Sequence, residues 1–228
     1  MTRRPRVPWG LTALLAVLLL AVTRLGLWQL DRASEKEALE IAYLATQSSP
    51  PVDLDSAQPF SRVRVSGRYD EPRYLLDNQV REGVVGYWSL QRFVLSDGRA
   101  LMVNRGWLPA PERRSELPDP PAPSEPVTLI GMIWPQLGLP PLLEEEEWSA
   151  RWPERVQRRD IERMAAATGS LAIELRLVEN QPGALATIDM TPTFGRETHM
   201  GYAVQWFALG GVIVIGWLVL WRRGAKET

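Results

Sequence analysis

The chain reads as a membrane protein in which two transmembrane α-helices flank one mainly antiparallel β domain, small and barrel-like, with short helices. Three observations carry this reading. From Tyr202 to Trp221 the sequence runs without a formal charge before Arg222-Arg223 stops it, a length that crosses a hydrocarbon core of roughly 30 Å at about 1.5 Å per residue. A second apolar segment, Val7 to Thr23, follows Arg3, Arg4 and Arg6. Between them lie short alternating runs punctuated by Gly, Pro and Asp.

The first segment is interrupted at Arg24 and resumes as Leu25-Gly26-Leu27-Trp28. An arginine near a helix end can snorkel to the headgroups, and indoles such as Trp9 and Trp28 favour the interfaces. The rival reading is a cleaved signal peptide, but the apolar core is long for one and no Ala-x-Ala site follows it. The arginines at 3, 4 and 6 and the Arg222, Arg223, Lys226 cluster place both termini in the cytoplasm by the positive-inside rule. The expected organisation is a cytoplasmic N-terminus over 1–6, a first span over 7–28, an external domain over 29–198, a second span with its interfacial entrance over 199–221, and a cytoplasmic C-terminus over 222–228.

In the external region, Trp28 to about Gln47 suggests a helix leaving the membrane, and Ser48-Ser49-Pro50-Pro51 ends it. Arg62-Val63-Arg64-Val65 alternates with period two, so Val63 and Val65 face inward. Tyr74 to Asp77 is a short candidate strand. Val84 to Leu95, Ser96-Asp97-Gly98 and Arg99 to Leu108 form the clearest hairpin, since Asp-Gly tolerates the positive φ of a tight turn. Pro109 to Pro126 holds seven prolines and reads as a long loop. Val127 to Trp134 is another strand, and Leu171 to Glu179 is ambiguous because of Ala172 and Glu174. The acidic run Glu144 to Glu147 beside Trp148 reads as a solvated loop in preference to a partner patch. Asp160 to Ala167 is a short helix with Asp160 as N-cap and Gly169 just past its end.

Composition excludes much. A net charge of −1 and a pI near 6.0 give no electrostatic case for nucleic acid. The absence of cysteine removes disulfides, thiolate metal sites and cysteine catalysis, and a single histidine removes zincin motifs and multi-histidine sites within one chain. There is no Gly-x-Ser-x-Gly, Walker A or dinucleotide fingerprint. No nucleophile–base pair has a recognisable setting, so the expectation is a non-enzyme.

That single histidine, His199, stands at the mouth of the second span, in His199-Met200-Gly201-Tyr202-Ala203-Val204-Gln205-Trp206-Phe207. Neutral imidazole is the commonest metal ligand, but a lone histidine at a helix entrance is more often a hydrogen-bonded cap or interfacial residue. If the helix continues through it, Ala203, Trp206 and Gly210 share its face. The small residues would leave room for a flat macrocycle, or Gly210-Gly211 would let the spans approach.

Taken together, these blocks resemble the Surfeit locus protein 1 family over nearly the whole chain. Leu25 to Arg32 is similar to its glycine–tryptophan–glutamine element. Gly67-Arg68-Tyr69, Asn78, Gly86-Tyr87 and Val103-Asn104-Arg105-Gly106-Trp107-Leu108-Pro109 resemble its central motifs, and His199 to Phe207 its element before the second span. Gln91-Arg92-Phe93 departs from the threonine-proline-phenylalanine of many relatives. The resemblance implies a bacterial inner-membrane factor, its central domain periplasmic, for assembly of haem-copper cytochrome c oxidase. It would assist formation or insertion of the haem a centre in subunit I, alongside other assembly factors, with a homo-oligomer allowed for. On this view His199 ligates the iron of transiently held haem a. From the residues themselves, Trp206 is a candidate to pack against the macrocycle or an ordinary lipid-facing residue, and Arg24, Arg32 and Arg196 are candidate partners for its propionates, with snorkelling the alternative for Arg24. Asn104, Arg105 and Trp107, following a strand, are candidates for a protein partner, with Arg105 alternatively aimed at a propionate. The structural reading, preferred for Gly106 and Trp107, is a strand end in which Gly106 relieves crowding and Trp107 fills the core. The alternative is a membrane scaffold that binds oxidase subunits without haem.

Overall fold

In a computed structural model the chain is described over 7–46, 48–141, 146–149, 151–188, 190, 192 and 194–226. It divides into two compact units, one formed by Met1–Ile41 with Pro192–Thr228 and the other by Ala42–Thr191. The basic residues at 3, 4 and 6, with Glu144 and Glu145 of the acidic run, lie outside the described residues.

The first unit is built from two helices, α1 (Trp9–Thr46) and α3 (Arg196–Lys226), both long and apolar enough to cross a membrane. They pair antiparallel. Trp217 Nε1 donates to Thr12 Oγ1 at 3.3 Å, Leu19 and Val22 approach Gly210, the Phe207 ring lies against Gly26, and Arg196 pairs with Glu37 at 3.3 Å. The buried positions of α1, Val22, Gly26, Gln29 and Ala33, repeat at four, three and four. That is the 3.5-residue period by which one helix keeps a single seam facing another. Away from the seam, Val17, Leu20, Val212 and Ile215 are all more than 60% exposed, so the pair is apolar on its outside as well, as lipid requires.

Small residues set how near the helices come. A Cβ placed on Gly26 would sit 2.8 Å from the Phe207 ring, inside van der Waals contact. Gly26→Val is therefore expected to weaken the pair by roughly 1–3 kcal/mol. The check is thermal unfolding of the full chain in detergent, where adding Phe207→Ala should recover most of the loss.

The second unit is a six-stranded mixed sheet: β1 (Arg62–Arg81), β2 (Val84–Leu95), β3 (Ala100–Pro109), β4 (Val127–Trp134), β5 (Glu154–Val156) and β6 (Glu174–Leu177). A 3₁₀ turn at Leu54–Ser56 and helix α2 (Ile161–Thr168) complete it. The pairings run β1–β2–β3–β6–β4 and back to β1, a closed circuit, with β5 outside it on β1. β1–β2, β2–β3, β1–β4 and β4–β6 are antiparallel, while β3–β6 and β1–β5 are parallel. All five circuit strands send side chains into one cluster, among them Val63, Val65, Phe93, Val103, Leu129 and Leu175. A smaller cluster seats Ile161 and Met164 of α2 against Tyr74, Leu90 and Met102.

The hairpin from Val84 to Pro109, strand β4 and helix α2 lie where the sequence places them. Asp160 accepts from Arg163 N–H at 3.0 Å and Gly169 adopts φ +62. The stretches Arg62–Val65 and Tyr74–Asp77, expected as separate strands, are parts of one strand, β1. It bends at two register shifts, one between Tyr69 and Arg73 that contains Pro72 and one between Leu76 and Gln79 that contains Asn78 at φ +62. Proline is tolerated in sheets at such bulges, and asparagine accepts left-handed backbone. One long strand can thus serve β4 at its start and β2 at its end. It turns into β2 through Glu82 and Gly83, both at positive φ, the two-residue turn whose twist suits a hairpin.

Candidate functional site

His199 occupies the first turn of α3, and its Nδ1 lies 2.7 Å from Oε1 of Gln29. Gln29 sits in the α1 seam and is 9% exposed. A carboxamide oxygen can only accept, so Nδ1 carries the ring proton and the Nε2 lone pair is left for an acceptor role. Among the described residues the ring has no other hydrogen-bond partner. One ring nitrogen is thus fixed by a neighbour, and the other is without a hydrogen-bond partner among the described residues.

Around this pair the expected residues separate. Arg196 lies one turn before His199 and pairs with Glu37; Arg32 lies one turn beyond Gln29 and pairs with Glu35 at 2.7 Å. Each arginine keeps a buried Nε without a hydrogen-bond partner among the described residues. Arg24 is exposed and, five residues before Gln29, stands about 140° round the helix at 100° per residue. Trp206, seven residues after His199, returns to the same face and is half-buried. The space expected beside Ala203 and Gly210 is filled. Ala203 is 1% exposed, and a Cβ on Gly210 would meet Leu19 and Val22 at 3.4 and 3.5 Å. Those residues serve the helix pair. Gln29 and Glu37 received no role from the sequence, and the three-four spacing through Val22, Gly26, Gln29 and Ala33 is the signal that marks Gln29 as facing the second helix.

The structure also relocates the second set of expected residues. Asn104 and Arg105, expected at a partner surface, are 1% and 2% exposed and belong to the interior. Arg105 donates from Nε to Gly183 O at 2.7 Å, from Nη1 to Gln91 Oε1 at 2.9 Å and Pro120 O at 3.1 Å, and from Nη2 to Pro121 O at 2.5 Å. Its guanidinium stands 5.4 Å from the Tyr69 ring centre. Burial draws its pKa down to about 10, and burial pushes the Tyr69 phenol up to about 12. At neutral pH the arginine is charged and the phenol is a donor, used on Pro182 O at 2.8 Å. Gly106, at φ +122, has no room for a side chain, because a Cβ would lie 2.5 Å from Ala186 O.

Trp107 is half-buried and its Nε1 donates to Gln79 O at 2.8 Å. It lines a groove of about 680 Å³ with Trp88, Val80, Arg81 and Ile188.

Asn104 belongs to a buried ionic network that the sequence did not reveal. Glu174 Oε1 accepts from Asn104 Nδ2 at 2.9 Å and from Arg176 Nε at 2.8 Å, and Oε2 pairs with Arg159. Arg176 also stacks on Trp134 at 3.8 Å. Burial raises the Glu174 pKa, but the Arg176 and Arg159 charges with the Asn104 and Arg176 hydrogen bonds outweigh it, and the net shift is downward. Among the described residues no cluster of three or more acidic or histidine side chains could hold a free metal ion.

These features define a class, that of membrane proteins with two helices packed as an antiparallel pair, a β domain inserted between them in sequence, and a polar histidine–glutamine contact on the pair. The chain belongs to the SURF1 family, whose model matches residues 16–211. It is 28% identical over 229 residues to a SURF1-like protein of Mycobacterium tuberculosis, covering 92% of this chain and 82% of that one. It is 26% identical over 238 residues to human Surfeit locus protein 1, covering 91% and 77%, and 23% identical over 219 residues to a SURF1-like protein of Rickettsia bellii, covering 90% and 87%.

Proposed function

We propose that this protein is a non-enzymatic assembly factor for haem-copper cytochrome c oxidase, holding haem a on His199 before the haem enters subunit I. It would sit in a bacterial inner membrane, both termini cytoplasmic and the β domain in the periplasm, as the basic residues at the two ends favour. The observation that carries the reading is the 2.7 Å contact between His199 Nδ1 and the buried Gln29, which leaves Nε2 for iron. The donor set fits the group. One histidine supplies one axial ligand, the Nε–H groups of Arg32 and Arg196, without a partner among the described residues, suit propionates, and Trp206 lies on the same face about two turns further along the helix. Bound haem a would supply the redox iron, and the protein's part is to hold and release it. Single ligation suits a carrier better than the two-histidine ligation of a permanent cytochrome.

The test is a reduced-minus-oxidised spectrum of membranes from cells lacking the gene, with b- and c-type bands as internal controls. Selective loss of the a-type band supports the proposal. An unchanged a-type band in cells shown to make the oxidase subunits would remove a required assembly role.

A further inference from the structure

The contact that presents His199 has a second consequence, because the group holding Nδ1 is an amide. When a carboxylate holds a ligating histidine it raises the basicity of the ring and strengthens the bond to the metal. A carboxamide oxygen is a neutral acceptor. It fixes the tautomer and the ring plane without pulling the Nδ1 proton, so the ring is a more moderate donor to a metal than one held by a carboxylate. Gln29 is held for this task, since it is 9% exposed and lies in the seam between Gly26 and Ala33. Its side chain therefore cannot swing freely in solvent, and His199 is held by the α1 side chain it meets.

Carboxylates are available nearby and are used elsewhere. Glu35 and Glu37 lie on the same helix as Gln29, about two turns further along, and they pair with Arg32 and Arg196. These two acids are thus held on guanidinium groups, while the imidazole is held by an amide. We propose that Gln29 is a positioning residue for His199, and that its amide character keeps the histidine a releasable ligand. This rests on the reading of His199 as the ligand to haem.

The experiment uses the full chain in phospholipid nanodiscs, titrated with haem a, for wild type, Gln29→Leu, Gln29→Glu and His199→Ala. Absorption spectra give occupancy, a redox titration gives the midpoint potential, and transfer to apomyoglobin gives the release rate. Gln29→Leu should lose about ten- to a hundredfold in haem affinity and show a mixed spectrum from an unfixed ring. Gln29→Glu should bind at least as tightly as wild type, with a lower midpoint potential and slower release. A mere link between helices would move neither potential nor release rate in Gln29→Glu, where an acceptor of the same length is kept. Wild-type affinity and spectrum in Gln29→Leu would overturn the positioning role. Wild-type potential and release in Gln29→Glu would overturn the role of the amide, and this variant stays informative if Gln29→Leu does not fold. Undiminished binding in His199→Ala is a different failure, that of the ligand assignment beneath.

Discussion

Glu174→Gln should destabilise the β domain by about 3–5 kcal/mol, the cost of removing one partner from a buried ion pair. The change keeps the shape of the side chain and removes its charge. Arg176 and Arg159 then face each other's charge in the interior with no anion between them, where Glu174 is now 1% exposed. The loss is read as a shift in the thermal or urea midpoint of the full chain in detergent, followed by tryptophan fluorescence. The network also sets an acid limit. The folded pKa of Glu174 lies below its ordinary value, so the stabilisation is fully present above the unfolded value of about 4.3. It is lost as pH falls through the lower folded value. Wild type should lose stability below about pH 4, and Glu174→Gln should lack that part of the acid dependence. An unchanged midpoint in the variant would mean that the ion pairs are not carrying the interior of β6.

Arg105→Ala should cost a similar amount, about 3–5 kcal/mol, because it orphans several acceptors at once. Pro120 and Pro121 have no N–H of their own, and their carbonyl oxygens are met by Arg105. The same guanidinium satisfies Gly183 O and the Gln91 side chain. One side chain therefore ties the proline-rich loop and the 182–183 turn to the wall of the sheet. The expected signature is a lower melting temperature together with faster proteolysis within residues 110–126. Arg105→Lys should recover part of the stability, since an ammonium is a point charge and cannot span the fork of carbonyls that a planar guanidinium reaches. A variant with native stability and a protected loop would return Arg105 to the surface role expected of it from sequence.

How far the sequence reveals this protein follows from which forces are local. Asp160, Gly169 and the Asp97-Gly98 turn act over three or four residues, and their elements lie where the motifs put them. The two apolar segments are legible because lipid demands uninterrupted hydrophobicity. The two candidate strands 62–65 and 74–77 are one strand, because the sheet absorbs Pro72 and Asn78 at bulges while pairing continues on both sides. β6 lies in the stretch left ambiguous by Ala172 and Glu174, since a charged residue within a strand reads as a solvated one. All four of its residues are buried, and the charges are tolerated because their partners come from β3 and from Arg159, 70 and 15 positions away. Such pairing cannot be seen locally. His199 was visible as the sole histidine, but Gln29 lies 170 positions from it and becomes meaningful only when the helices pair.

The most direct test of the account is an equilibrium titration of the purified full chain with haem a, comparing wild type with His199→Ala. The account predicts saturable binding of one haem per chain in wild type, with affinity reduced at least tenfold when the imidazole is removed, on the scale of a lost metal contact. Equal affinity in the two proteins would contradict it and would leave the paired helices and their β domain acting on the oxidase through protein contacts alone.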